Sequence, residues 1–251
     1  MKLDTHVHLL PSKSASPDWD EIRFTLDAAR RDGLDAVCIC EHLDATHYHA
    51  LLADLFEHNV LGGAPLSEGV LRLPNGLTVS AGAEVSLRGG GDAGVHATPS
   101  TLRALDPQKG VYSLPALLDA LEAAGEPYAI VAHHVYFNHK WIDELPSAGR
   151  RLDAIELPAK DLGASDRYRS LASQLELPLV GGGDGHTWLQ VGACYTFFPD
   201  DAWSSGADFS VQRFKDALKA RHAEPVPIPG ADRFIRMSRL YRDRINRTTP
   251  Q

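Results

Sequence analysis

The sequence predicts a single-domain α/β fold of barrel type, and three observations predict it. Strand and helix signals alternate along the chain, which favours parallel βα units over separate layers of sheet and helix. A length of 251 residues with 43% hydrophobic residues lets one domain bury a full core, and α/β barrels have this size. Apolar segments end repeatedly in metal-ligand chemistry, at His6 and His8, Glu41-His42, Glu84, His133-His134 and Asp184-Gly185-His186. In a (β/α) barrel functional groups sit at the carboxyl ends of strands, so these distant positions converge on one face.

Leu3 to Leu9 is the first expected strand. Within Asp4-Thr5-His6-Val7-His8 the imidazoles at i and i+2 share a strand face, where one metal ion can take both. A helix is expected over Asp20 to Asp32, with Ile22, Leu26 and Ala29 on one stripe and Gly33 as its stop. Leu34 to Cys40 is the second strand, and Thr46 to Asn59 a helix through Leu51, Leu52, Leu55 and Phe56. Asp44 is placed to cap that helix, and Gly62-Gly63 breaks it. Val70 to Leu87 reads as a hairpin turning at Pro74-Asn75-Gly76, where Asn-Gly supplies the positive φ angles of tight turns. A short strand follows around His96, then a helix through Leu114, Leu117, Leu118 and Leu121. Tyr128 to Ala132 delivers His133, and Leu152 to Leu157 and Leu179 to Gly182 complete the strands before Asp184.

The barrel is expected over residues 1–224, and residues 225–251 as a proline-rich turn followed by an amphipathic basic helix packing on the barrel. Phe234, Met237, Leu240, Tyr241 and Ile245 form its apolar stripe. Its arginines, from Arg233 through Arg236, Arg239, Arg242 and Arg244 to Arg247, read as a solvated face, as a source of one phosphate clamp, or as a subunit contact.

A net charge of -8 disfavours a dedicated nucleic-acid scaffold, and the absence of a basic aromatic groove disfavours long nucleic acid as a partner. Cys38, Cys40 and Cys194 read as reduced, buried thiols, which fits a cytoplasmic setting. No apolar run approaches the length of a membrane span and no leader precedes the first strand, so a soluble, unprocessed protein without a membrane partner is expected. Oligomeric state is open. The imidazole-rich ligand set suits zinc, manganese or iron better than calcium or magnesium, and exceeds what one tetrahedral zinc takes. Two or three divalent ions are expected.

Taken together, Asp4-Thr5-His6-Val7-His8, the run Gly33 to His42, Gly82-Ala83-Glu84, Ala132-His133 and Gly183-Asp184-Gly185-His186 resemble the successive motifs of the polymerase and histidinol phosphatase (PHP) family, over residues 1 to about 198. The resemblance implies a distorted (β/α)7 TIM-like barrel with a dinuclear or trinuclear metal centre that hydrolyses phosphate esters. Carried over, it puts His6, His8, Glu84 and Asp184 on one metal, with Glu84 bridging to a second completed by His96 and His133. His42 and His186 then hold a third. The chain departs from the pattern at Leu9 to Ser14, where a further Asp or His is usual, and Asp18 is the candidate substitute. Glu41 stands where Asp is usual, as a carboxylate orienting a ligand imidazole, and His134 where proline is common.

The function expected from these residues is a metal-dependent phosphoesterase acting on a small phosphorylated metabolite or nucleotide through a metal-bridging hydroxide. Asp184 is the catalytic candidate for proton handling, and Lys160 and His134 are candidates for substrate binding, with a solvated lysine and a packed histidine as the alternatives. Glu156 sits nearby or supports a loop, and His96 is a ligand or a loop histidine. The rival readings are an amidohydrolase-like hydrolase of C-N or C-O bonds, for which a strand lysine suited to a bridging carbamate is not evident, and a non-catalytic metal-binding module.

Overall fold

Seven strands close a ring in the computed structural model, which describes residues 1–200, 203 and 208–248, the side chains of 245, 246 and 248 excepted. In chain order the elements begin β1 (Lys2–Val7), α1 (Trp19–Arg31), β2 (Ala36–His42), α2 (Tyr48–Phe56), β3 (Ala64–Ser67), β4 (Val70–Arg72), β5 (Thr78–Ser86) and β6 (Asp92–Ala97). They continue α3 (Pro99–Ala104), α4 (Leu114–Ala124), β7 (Tyr128–His133), α5 (Leu145–Ala148), β8 (Ala154–Pro158), α6 (Ser165–Leu175) and β9 (Leu179–Gly182). The chain then runs through β10 (Cys194–Phe197), α7 (Val211–Lys219), β11 (Glu224–Pro227) and α8 (Ala231–Thr248).

The hydrogen-bonded path is β11-β10-β1-β2-β5-β6-β7-β8-β9. Its β9 end returns to β1: Val7 bridges Gly185, His8 N donates to Gly185 O at 2.8 Å, and Thr5 Oγ1 donates to Gly181 O at 3.0 Å. The fold is thus the distorted barrel the motifs imply, with β10 and β11 extending beyond the closure. Its distortion is local. β1, β2 and β5 are parallel neighbours, as are β7, β8 and β9, but β6 runs antiparallel to both β5 and β7. A parallel partner needs a crossover of a dozen or more residues, and the connection from β5 to β6 is too short for one. It turns instead through Gly89, Gly90 and Gly91, all at positive φ.

The expected helices form with small shifts at their ends. Asp18 is the N-cap of α1, its carboxylate accepting from the amides of Asp20 and Glu21, and it belongs to none of the metal-sized groups among the described residues. Asp44 does not cap α2, whose N-cap is His47; Lys13 Nζ binds both Asp44 oxygens at 2.7 and 2.8 Å instead. In the β4–β5 hairpin only Gly76 takes a positive φ, at 87°, and Asn75 turns the chain through its side chain, which accepts from Leu77 N at 2.8 Å.

Two apolar clusters hold the barrel. One joins Leu3, Cys38, Val131 and Val180 of the strands to Phe214, Ala217 and Leu218 of α7. Because Lys215 of α7 lies 3.9 Å over the ring of Tyr128, the first residue of β7, α7 plugs the amino-terminal end of the strands. The opposite end is left to the polar residues. At the C-terminus the proline-rich stretch does not begin as the expected turn: Glu224–Pro227 is β11, which pairs with β10 from the end of the hydrogen-bonded path, where proline's missing N–H is tolerated. The buried stripe of α8 also differs from the expected one. Ala231, Ile235 and Ser238 face inward, whereas Met237 is 40% and Leu240 72% exposed; Ile245 lies outside the described side chains. No described helix is long and apolar enough to cross a membrane.

Candidate metal centre

β1 brings the first two imidazoles to the open end of the ring, and each is oriented by a buried carboxylate. His6 Nδ1 donates to Glu156 Oε1 at 2.8 Å and His8 Nδ1 donates to Glu41 Oε1 at 3.2 Å. An ionised carboxylate only accepts, so both rings carry their fixed proton on Nδ1 and turn Nε2 toward the same centre, where the two Nε2 atoms lie 2.9 Å apart. Glu41 is fixed in turn by the amides of Leu9, Leu10 and His42.

Glu84, two residues before the end of β5, lies between two groups of imidazoles. Its Oε1 lies 2.9 Å from His134 Nε2, 3.3 Å from His133 Nδ1 and 3.5 Å from His6 Nε2, while Oε2 lies 2.7 Å from His42 Nδ1 and 3.9 Å from His8 Nε2. Asp184 Oδ1 reaches His8 Nε2 at 3.4 Å and His186 Nδ1 at 3.5 Å, and its Oδ2 pairs with Lys160 Nζ. Four groups of ligand atoms are compact enough to hold an ion: His6, His133, His134 and Glu156; His8, His42 and His186; His6, His8 and Asp184; and Glu84, Asp92 and His134. Buried nitrogens without a hydrogen-bond partner, His133 Nε2 and His134 Nδ1, belong to the same constellation. The donor set, imidazole and carboxylate with second hydrogen-bonding partners in place, fits divalent metal ions.

The electrostatics are those of a cation site. Burial alone would raise Glu84, but hydrogen bonds from His133, His134 and His42 hold it well below the usual carboxylate range. Asp184 is likewise held low against burial, by Lys160 and His6. Burial and His133 push His6 down to about 4, so it is neutral. Burial would lower His8 too, but Glu41 and Asp184 carry it up to about 10, and Glu84 carries His134 up to about 9. Without metal, protons on these two rings balance the carboxylates.

Asp4 joins the ring behind the centre: its carboxylate accepts from His6 N at 3.0 Å, Gly183 N at 2.9 Å and Gly192 N at 2.7 Å, while burial raises it to about 7. Two residues at strand ends sit in the left-handed region, His134 at φ 30° and Asp184 at φ 48°. Such strain concentrates at functional sites.

Of the residues proposed from sequence, His6, His8, His42, Glu84, His133, Asp184 and His186 are brought together. His96 is not. β6 descends from the strand ends past Gly94, the ladder partner of Glu84, so His96 pairs with Gly82 deep in the ring. There its ring packs edge-on to Phe214 at 5.2 Å, and burial and His133 push it down to about 3. His134 does not point away from His133 as a continued strand requires; the strand ends at His133 and the positive φ turns His134 back onto Glu84. Lys160 is 15% exposed and paired with Asp184, so it faces the same mouth rather than bulk solvent. Glu156 holds His6 and accepts from His134 N at 2.9 Å, and Asp92 faces Glu84 and His134. A carboxylate inside the apolar run Ala154 to Leu157 was the visible signal for Glu156; Asp92, after three glycines, reads as an ordinary turn residue.

A ring with this ligand set at its carboxyl end defines a PHP-type barrel, and the chain belongs to the PHP family. The PHP-associated family model matches residues 164–221. PsfC from Pseudomonas syringae PB-5123 is 39% identical, matches with a TM-score of 0.89, and covers 97% of this chain and 98% of its own. The lesion-specific endonuclease PfuEndoQ from Pyrococcus furiosus matches at a TM-score of 0.61 with 14% identity, over 89% of this chain and 57% of its own. An Endonuclease Q complex, with a 27-mer duplex carrying an abasic lesion at the active site, matches at 0.61 with 15% identity, over 87% and 56%. At these identities the endonucleases share the fold alone. No curated protein matches the chain.

Proposed function

We propose that the chain is a metal-dependent phosphoesterase that releases phosphate from a small phosphorylated metabolite or nucleotide. The observation that carries this reading is the position of Glu84, whose two oxygens face separate groups of imidazoles at the end of a barrel that also presents Asp184 and Lys160. His6, His8, His42, His133, His186, Glu84 and Asp184 would hold the ions, with His134 and Glu156 beside them. Divalent ions so held polarise phosphoryl oxygens and make a water-derived nucleophile available near neutral pH.

The chain's own groups do the rest. Glu41 and Glu156 fix the imidazole tautomers, Asp184 accepts a proton at Oδ2 once Lys160 is drawn to substrate, and Lys160 Nζ neutralises charge on the phosphoryl group. The composition argues for a small substrate. The fold does not, since its endonuclease neighbours include one with duplex DNA at its active site. We place the protein in a reducing cytoplasm, which the free, buried Cys38, Cys40 and Cys194 support.

Turnover of a generic phosphomonoester, a phosphodiester and a duplex carrying an abasic lesion, before and after chelation and metal add-back, tests the reading. Chelator-sensitive phosphate release from a small ester supports it. Cleavage of the duplex alone moves the substrate class to nucleic acid, and metal binding with no phosphoester turnover moves the reaction to C-N or C-O hydrolysis.

A further inference from the structure

α8 is keyed to the metal centre by buried polar contacts. Ser238 Oγ lies 2.8 Å from Thr187 Oγ1, next to His186, and donates to Gln190 Oε1 at 3.0 Å. Gln190 Nε2 donates back to the carbonyls of Gly183 and Asp184. Ser238, Thr187 and Gln190 are each at most 3% exposed, so this junction fixes the register of the helix against the loop that carries Asp184 and His186. The helix also packs on the segment Ala159–Ala164, which bears Lys160.

One turn beyond Ser238, on the same face, stands Arg242. It is half-buried, whereas Arg233, Arg236, Arg239 and Arg247 of the same helix are exposed. Other basic side chains near the mouth have carboxylate partners: Lys13 has Asp44, Lys140 has Asp92 and Lys160 has Asp184. Arg242 has none among the described residues, and it lies one turn from Ser238, whose hydroxyl reaches Thr187 beside His186. Arg242 is therefore a half-buried arginine without a carboxylate partner among the described residues, on the helix that packs against a cluster built for cations, and metal loading adds like charge beside it. An anion arriving between Arg242 and the centre removes the conflict.

We propose that Arg242 is the oxyanion clamp of this site, its planar fork taking two non-bridging oxygens of a tetrahedral phosphoryl group from the side opposite the metal ligands. The proposal rests on the phosphoesterase reading for the identity of the anion. It makes α8 a substrate-binding element as well as a packing one.

The test uses the metal-loaded full chain and inorganic phosphate, titrated calorimetrically against wild type, Arg242→Gln, Arg242→Lys and Arg239→Gln, with metal content and melting temperature measured on each. Arg242→Gln should weaken phosphate binding by about 10- to 100-fold at unchanged metal content, the range expected for losing a charged hydrogen-bonding partner. Arg242→Lys should recover part of it, and Arg239→Gln none of the effect. Equal weakening by Arg239→Gln, wild-type affinity in Arg242→Gln, or no phosphate binding by the wild type overturns the clamp. Arg242-dependent phosphate binding in a chain that turns over no phosphoester keeps the clamp and sinks the phosphoesterase reading; phosphoester turnover indifferent to Arg242 does the reverse.

Discussion

Gly94 separates ligand geometry from ligand chemistry. It sits in β6 opposite Glu84 on one side and Val131 on the other, and the His133 imidazole lies across its α-carbon. A methyl group there would overlap the ring, with Nε2 and Cε1 well inside contact distance and Cδ2 at 2.9 Å. Carbon atoms rest about 3.5–4.0 Å apart, so the ring must retreat by about 1 Å or more. His133 has nowhere easy to go, because its other face stacks on His6 with centroids 3.8 Å apart. Gly94→Ala therefore removes no donor and adds no charge, yet displaces a ligand against its neighbour. Overpacking should cost about 1–3 kcal/mol of stability, and a misplacement of this size about 100-fold in turnover. Gly163→Ala, where an added Cβ meets nothing within 4 Å, is the control. The assay is metal content by elemental analysis, thermal unfolding and phosphoester turnover on both variants. Full metal content and wild-type turnover in Gly94→Ala would refute the placement of His133 in the centre.

Four further outcomes follow from the geometry. Glu156→Gln removes the acceptor that fixes the His6 tautomer, and metal affinity measured by chelator competition should fall about 10- to 100-fold. His96→Gln should leave metal content unchanged, because the ring lies below the centre against Phe214; loss of an ion would return His96 to the ligand set. Metal loading should release protons from His8 and His134, whose rings are raised to about 10 and about 9, so affinity should drop as pH falls below about 9 and titrations at pH 7 should show proton release that depends on buffer ionisation heat. Asp4 supplies a pH dependence of the opposite kind from an ordinary paired carboxylate: its folded value of about 7 lies above the ordinary 3.8, so the folded state keeps a proton that the unfolded state loses, and stability falls as pH rises between them. Denaturant midpoints of the metal-free chain should show that slope, up to about 4 kcal/mol in total, and Asp4→Asn should flatten it.

The mouth of the ring is legible because apolar runs stop at residues that pack badly in a core: His42 and His133 end β2 and β7, Glu84 lies two residues before the end of β5, and Asp184 two residues after β9. What sequence did not show depended on direction and partners. His96 looked like a ligand because spacing carries no sign; the reversal of β6 sends it away from the mouth, although the short glycine connection before Asp92 already excluded a parallel crossover. His134 required a left-handed residue that the sequence does not announce. Hydropathy marks Met237 and Leu240 as the inward face of α8, whereas burial of Ser238 depends on Thr187 and Gln190, about fifty residues away in the chain. Residue type alone does not separate Asp18 from Asp44, because a carboxylate near a helix start serves equally as cap, ion-pair partner or ligand.

The most direct measurement is metal content per chain, by elemental analysis after reconstitution, of the wild type beside Glu84→Ala. Glu84 faces both groups of imidazoles, so the account predicts two or three ions in the wild type and loss of more than one on its removal. A wild type that holds no ion after reconstitution, or a Glu84→Ala chain that keeps them all, would contradict it.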